Sequence, residues 1–202
     1  MKKVLFLALS ALLALPLTAT AKPDTFTVDA ANSGISFTVR HFFSEVPGRF
    51  TDFSGAIVWD AENPEASSVE ITVQSKSINT DNANRDGHLQ SPDFFDVAKF
   101  PTITFKSTSI KAKDAKTLSV TGDLTAKGVT KRTTIEIEIL GIMELGGGKT
   151  KAGFKTGFTI NRQEFGISWN KTLDAGGTIL GDDVTVKVNF EADRAVAAAP
   201  AK

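Results

Sequence analysis

The chain has 202 residues, with 23 basic and 23 acidic side chains, no cysteine, no tyrosine and 15 phenylalanines. That length supports about one domain, and the even charge balance gives no reason to expect nucleic acid or an anionic surface as partner. Without cysteine there is neither a disulfide nor thiolate chemistry, so the fold rests on burial alone.

The first segment reads as a targeting signal. Lys2 and Lys3 precede an apolar run from Val4 to Leu17, broken at Pro16, and Ala19-Thr20-Ala21 forms a small-x-small cleavage site. The run is too short to span a bilayer, which predicts a secretory signal over residues 1–21, cleaved after Ala21, and a periplasmic home. The folded domain is then expected over residues 22–194, followed by a low-complexity, disordered tail from Ala195 to Lys202.

Period-2 alternation then recurs along the chain. It is carried by Ile35, Phe37 and Val39; by a less regular stretch from Phe50 to Trp59; by Val69, Ile71 and Val73; and by Ile103 and Phe105. Further on come Leu118, Val120 and Leu124 around Gly122; Ile135, Ile137 and Ile139; Phe154, Phe158 and Ile160; and Val184, Val186, Val188 and Phe190. Short polar or glycine-bearing turns separate them at Asp60–Pro64, Ala112–Lys116, Ala126–Gly128, Gly146–Gly148 and Asp174–Gly177. Eight strands so joined predict an all-β, antiparallel up-and-down barrel. Its outward faces are charged and threonine-rich, and aromatic girdles are lacking. The apolar faces therefore point inward, not toward lipid. Whether they fill the barrel or line a pocket is left open by the pattern.

One interval breaks the meander. Thr80 is positioned to cap a short helix, and Ser91-Pro92-Asp93 starts another turn. The stretch "RDGHLQSPDFFDVAKFPTITF" (85–105) places Phe94 and Phe95 off any strand face, as a lid over something apolar or a plug in a filled barrel. Arg85, Asp86 and His88 are expected to anchor it; Asp86 and His88, two apart in a helix, do not face each other as a dyad. His41 shares the parity of Phe37 and Val39 and reads as an inward, hydrogen-bonded histidine. In "INRQEFGISWN" (160–170), Gly166 suggests a bulge or a close backbone approach in a strand resuming at Phe165 and Ile167, and Arg162 a structural or mouth anchor. No nucleophile elbow, nucleotide loop or metal set is found, so no catalytic residue, metal or cofactor is expected.

These two stretches, with "GDLTAKGVTK" (122–131) between them, resemble the YceI-like family of periplasmic polyisoprenoid-binding proteins. The resemblance implies a lipocalin-like eight-stranded barrel with a helical insertion at about Thr80 to Phe95. It also implies a long apolar chain, such as an isoprenoid quinone or polyprenyl lipid, held inside for transport or storage. On that reading the cavity is lined by Phe37, Val39, His41, Phe94, Phe95, Phe105, Phe154, Phe158, Ile160, Phe165 and Trp169. Expected partners are the apolar lipid, no nucleic acid and no stable membrane insertion, with a homodimer as a candidate assembly. The rival readings are an enzyme using His41 or Asp86 on such a lipid, and a filled barrel that binds protein on its outer face.

Overall fold

The computed structural model describes residues 23–172 and 178–194. The expected signal segment with its cleavage at Ala21, the turn at Asp174–Gly177 and the tail from Ala195 lie outside the described residues.

Among the described residues there are eleven strands. They are β1 (Asp24–Val28), β2 (Gly34–His41), β3 (Ser44–Phe50), β4 (Phe53–Trp59), β5 (Ser68–Gln74), β6 (Ile78–Asn79), β7 (Thr102–Ala112), β8 (Thr117–Ala126), β9 (Val129–Gly146), β10 (Lys149–Asn161) and β11 (Leu180–Arg194). Every pairing is antiparallel, and β1 pairs with both β4 and β11, so the ring closes through β1, β4, β5, β7, β8, β9, β10 and β11. The eight predicted strands are therefore eight staves, two of them broken. The first is β1 and β2, interrupted by a 3-10 turn over Ala30–Asn32; the second is β3 and β4, interrupted at residues 51–52. In the upper half β2 pairs with β11 and with β3, while β3 meets the short β6 only at Arg49 and Phe50.

Alternation decides which side chains are inside, because successive Cβ atoms point to opposite faces. Strand β8 obeys it throughout, with Leu118, Val120, Leu124 and Ala126 buried between half-covered neighbours. Strand β7 changes phase at a bulge between Ser107 and Ser109, which lets both Phe105 and Ile110 face inward. The hairpin turns follow the twist rule for two-residue loops: Lys127-Gly128 and Gly147-Gly148 all take positive φ.

The insertion between β6 and β7 contains one helix, α1 (Ala83–Gln90). Its N-cap is Asn82, whose side chain accepts from the Arg85 amide, and not Thr80 as the sequence suggested. After α1 the chain folds back in a series of turns, with the Phe94 amide and the Asp96 amide both donating to the Ser91 carbonyl. This brings Phe94 and Phe95 over the barrel end.

Candidate functional site

The barrel is hollow. A cavity of about 400 Å³ runs from the helical insertion down past Phe105 and Phe158 to Trp59, Ile110 and Leu118, within the roughly 300–1,000 Å³ range of small-molecule sites. All eleven residues expected to line it do so: Phe37, Val39, His41, Phe94, Phe95, Phe105, Phe154, Phe158, Ile160, Phe165 and Trp169. Sequence reasoning passed over Val46, Phe50, Trp59, Leu89 and Leu180, which line it too. Trp59 shares the inward parity of Phe53 and Ile57, a signal that was available.

Two glycines let aromatic rings lie flat on the wall. A Cβ at Gly48 would fall 2.3 Å from the Phe37 ring, and one at Gly122 would fall 2.5 Å from the Phe105 ring. Without a side chain at these places each ring rests against the opposite strand and leaves the interior open.

The lid is tied down by polar contacts. Asp86 Oδ1 accepts from the Thr80 amide at 2.9 Å and from Thr80 Oγ1 at 2.5 Å, while Arg85 donates to Thr80 Oγ1 and to the Thr80 carbonyl at 2.7 and 2.8 Å. Arg49 of β3 makes a two-pronged pair with Asp81 at 2.9 and 3.1 Å, which holds the Asp81 carboxyl below its ordinary value. Lys127 Nζ reaches the carbonyls of Pro92 and Gly166 at 3.0 and 3.1 Å, joining the lid to the segment across the mouth. On the apolar side, Phe95 meets Phe50 edge-on at 6.0 Å, and Phe94 packs on Trp169 at 5.3 Å.

Arg162 organises that opposite segment. It is 4% exposed and spends its guanidinium on the carbonyls of Gly181, Ile167 and Trp169 and on Asp182 Oδ1, at 2.6 to 3.1 Å. Burial pushes its pKa down, and the Asp182 carboxylate counters that. The expected bulge at Gly166 is replaced by a different bend. Residues Arg162–Phe165 form a 3-10 turn, and Gly166 closes it with φ 71°, so no strand resumes there. Glycine is the residue that takes this left-handed conformation freely.

The histidines differ from expectation. His41 is exposed at the cavity rim with its ring edge-on to Phe42 at 4.8 Å, and its side chain makes no hydrogen bond among the described residues; parity points it inward, but the wall ends there. His88 is free of Asp86, as its spacing required, yet it pairs with Asp93 at 2.9 Å because the chain folds back after α1. Its ring also packs edge-on against Phe94 and Trp169. Two buried polar atoms lack a partner among the described residues, Trp59 Nε1 and Ser91 Oγ.

The model of the YceI-like domain matches residues 26–192. The chain belongs to the YceI-like family. Among its relatives a UPF0312 protein of Enterobacter sp. (strain 638) is 36% identical over 188 residues, 93% of this chain and 95% of that one. The YceI structure from Campylobacter jejuni superposes with a TM-score of 0.67 at 32% identity, covering 76% of this chain and 88% of that one. A polyisoprenoid-binding domain from Saccharophagus degradans, implicated in plant cell wall breakdown, shares the fold at TM-score 0.64 and 14% identity, covering 84% of this chain and 98% of that one. Among the described residues this YceI-like barrel is a closed antiparallel ring with one α-helix. Among the described residues no helix is long and apolar enough to cross a membrane.

Proposed function

We propose that this YceI-like barrel is a periplasmic binding protein that holds a long-chain apolar lipid of isoprenoid type, a quinone or polyprenyl derivative, for transport or storage. The observation that carries the reading is the cavity: long, lidded and walled almost entirely by aliphatic and aromatic side chains. Such a wall favours a hydrocarbon tail, since each buried methylene contributes about 0.8 kcal/mol and few polar contacts are then needed. The cost of association and of ordering the tail offsets part of that gain. The eleven lining residues named above are the proposed tail contacts. The binding of polyisoprenoid by the Saccharophagus domain supports the cargo class, and the export signal read over residues 1–21 supports the compartment.

Binding is preferred to catalysis on the state of the candidate acids and bases. Asp86 is committed to Thr80, and His41 stands at the rim without a side-chain partner among the described residues. Mass spectrometry of organic extracts, from protein purified out of its own periplasm, tests the reading. A prenyl-type lipid in stoichiometric amount is expected. Protein that emerges empty and then takes up neither a quinone nor a prenyl alcohol overturns it.

A further inference from the structure

The β2–β3 hairpin turns at Phe42 and Phe43, and both rings are exposed, Phe43 completely. Phe42 has φ 52° while Phe43 does not share the positive φ, the pattern of a two-residue turn whose first position normally takes glycine. A bulky residue is sterically disfavoured there. The chain therefore holds two large apolar rings at the surface on a turn that glycine would close more easily, and among the described residues the edge of His41 is the aromatic contact they make.

The place of this tip says what it meets. His41, which precedes it, lies on the cavity rim, and the Phe42 amide donates to the Ile179 carbonyl, fixing the tip to the segment at the mouth. Arg40 and Lys171 belong to the backbone that carries the tip. The Arg40 guanidinium donates to the Phe42 carbonyl, and Lys171 stands on the same ladder through Ile179. Apolar rings at the tip with a guanidinium held against its backbone match a bilayer, whose acyl region lies beneath a layer of phosphates. Glu45 stands opposite Arg40 and tempers the attraction to charge, so ring burial dominates.

We infer that Phe42 and Phe43 form a membrane-docking tip that seats the cavity mouth on a lipid bilayer, where cargo enters or leaves. This rests on the lipid-binding reading, because only cargo that partitions into bilayers requires the mouth to touch one. The surface it takes is a phospholipid membrane, with anionic headgroups a secondary aid.

Flotation of the full exported chain with vesicles of phosphatidylethanolamine and phosphatidylglycerol tests it, comparing wild type with the double variant Phe42→Gly, Phe43→Ser. Wild type is expected to float, with little change on adding salt, and the variant's bound fraction to fall at least roughly tenfold, the scale of losing two buried rings. The variant should melt no lower than wild type, since glycine relieves the turn. Uptake of a fluorescent prenyl alcohol is measured in parallel, from vesicles and after dilution from ethanol. The variant should be slowed only from vesicles. Equal flotation of both proteins overturns the docking tip whatever the cavity holds. Wild-type flotation that the variant loses, without uptake of the alcohol by either route, upholds the tip while removing the cargo reading. A variant slowed equally by both routes overturns the tip as the loading contact.

Discussion

At the far end of the barrel Phe26, Ala152 and Ala192 are 1%, 1% and 0% exposed, and Phe154 and Ile57 close over them. At the mouth Phe37, Phe50 and Phe95 are only half-covered, and they touch one another across open space. Both ends come from the same alternating strands. The far end pairs large rings with alanines, which leaves Phe26, Ala152 and Ala192 almost wholly buried. The mouth sets ring against ring, and its glycines lie beneath rings instead of beside them. The ends are secured differently as well. Below, Lys151 is ringed by Asp29, Glu191 and Asp193 at 2.8 to 3.2 Å. Above, the Arg49–Asp81 pair, the Thr80 contacts of Arg85 and Asp86, and the carbonyl contacts of Lys127 and Arg162 each hold a separate segment in place. The lesson is that a container needs one end that resists opening and one whose closure is assembled from parts.

The largest expected effect is at the sealed end. Phe26→Ala should cost about 3–5 kcal/mol, the usual range for a truncated buried phenylalanine, and denaturant titration would measure it. A cost below about 1 kcal/mol would erase the distinction between the ends. Arg162→Ala comes next, at about 2–4 kcal/mol. It strands the carbonyls of Ile167, Trp169 and Gly181 in a buried place, each carrying a desolvation penalty of about 1–3 kcal/mol that local rearrangement partly relieves. The mouth segment should also gain protease sensitivity ahead of the rest of the barrel.

Replacing Phe94 and Phe95 together by serine sharpens the comparison from the lid side. The β-sheet circular dichroism should persist while bound lipid is lost or released about tenfold faster or more, the change expected for removing apolar cover from a tail. A large drop in stability with lipid retained would make the two rings a plug. The smallest effect is at the far-end charge cluster. Hydrogen bonds from Asn32 and Lys151 hold the Asp29 carboxyl at about 2, against an ordinary 3.8. The folded value is the lower one, so its contribution to stability is complete above pH about 4 and is lost as pH falls toward 2. Asp29→Asn should flatten the fall in melting temperature over that window, with lipid loading unchanged at neutral pH.

Much of this was legible in the sequence where one parity of a strand is apolar and the other polar. All eight staves announced themselves that way, and the inward phenylalanines followed. Strand β1 was missed because its five residues carry only Phe26 and Val28, and β3 because Pro47 and Gly48 break its pattern. Pro47 is tolerated because β3 is paired on one side only at that position. His41 shows the limit of parity: it tells direction, and says nothing of where the wall stops. The contacts of His88 with Asp93, and of Lys127 with Pro92 and Gly166, depend on chain reversals that no periodicity encodes. Arg162 was legible as an anchor but not its shape, since a 3-10 turn capped by a left-handed glycine and a bulge draw on the same residues.

The one-sided pairing of β3 bears on cargo length. A wall bonded all the way round would act as a ruler, admitting tails up to its depth and refusing longer ones. Here the outer edge of residues 44–48 meets no strand, and β6 takes up the pairing only at Arg49 and Phe50. Between this edge and the lid the wall carries no strand-to-strand bonds among the described residues. On the proposed lipid-holding reading, this unbonded edge is where a tail longer than the chamber would pass sideways, and homologues differing in their number of repeating units would then fit one protein.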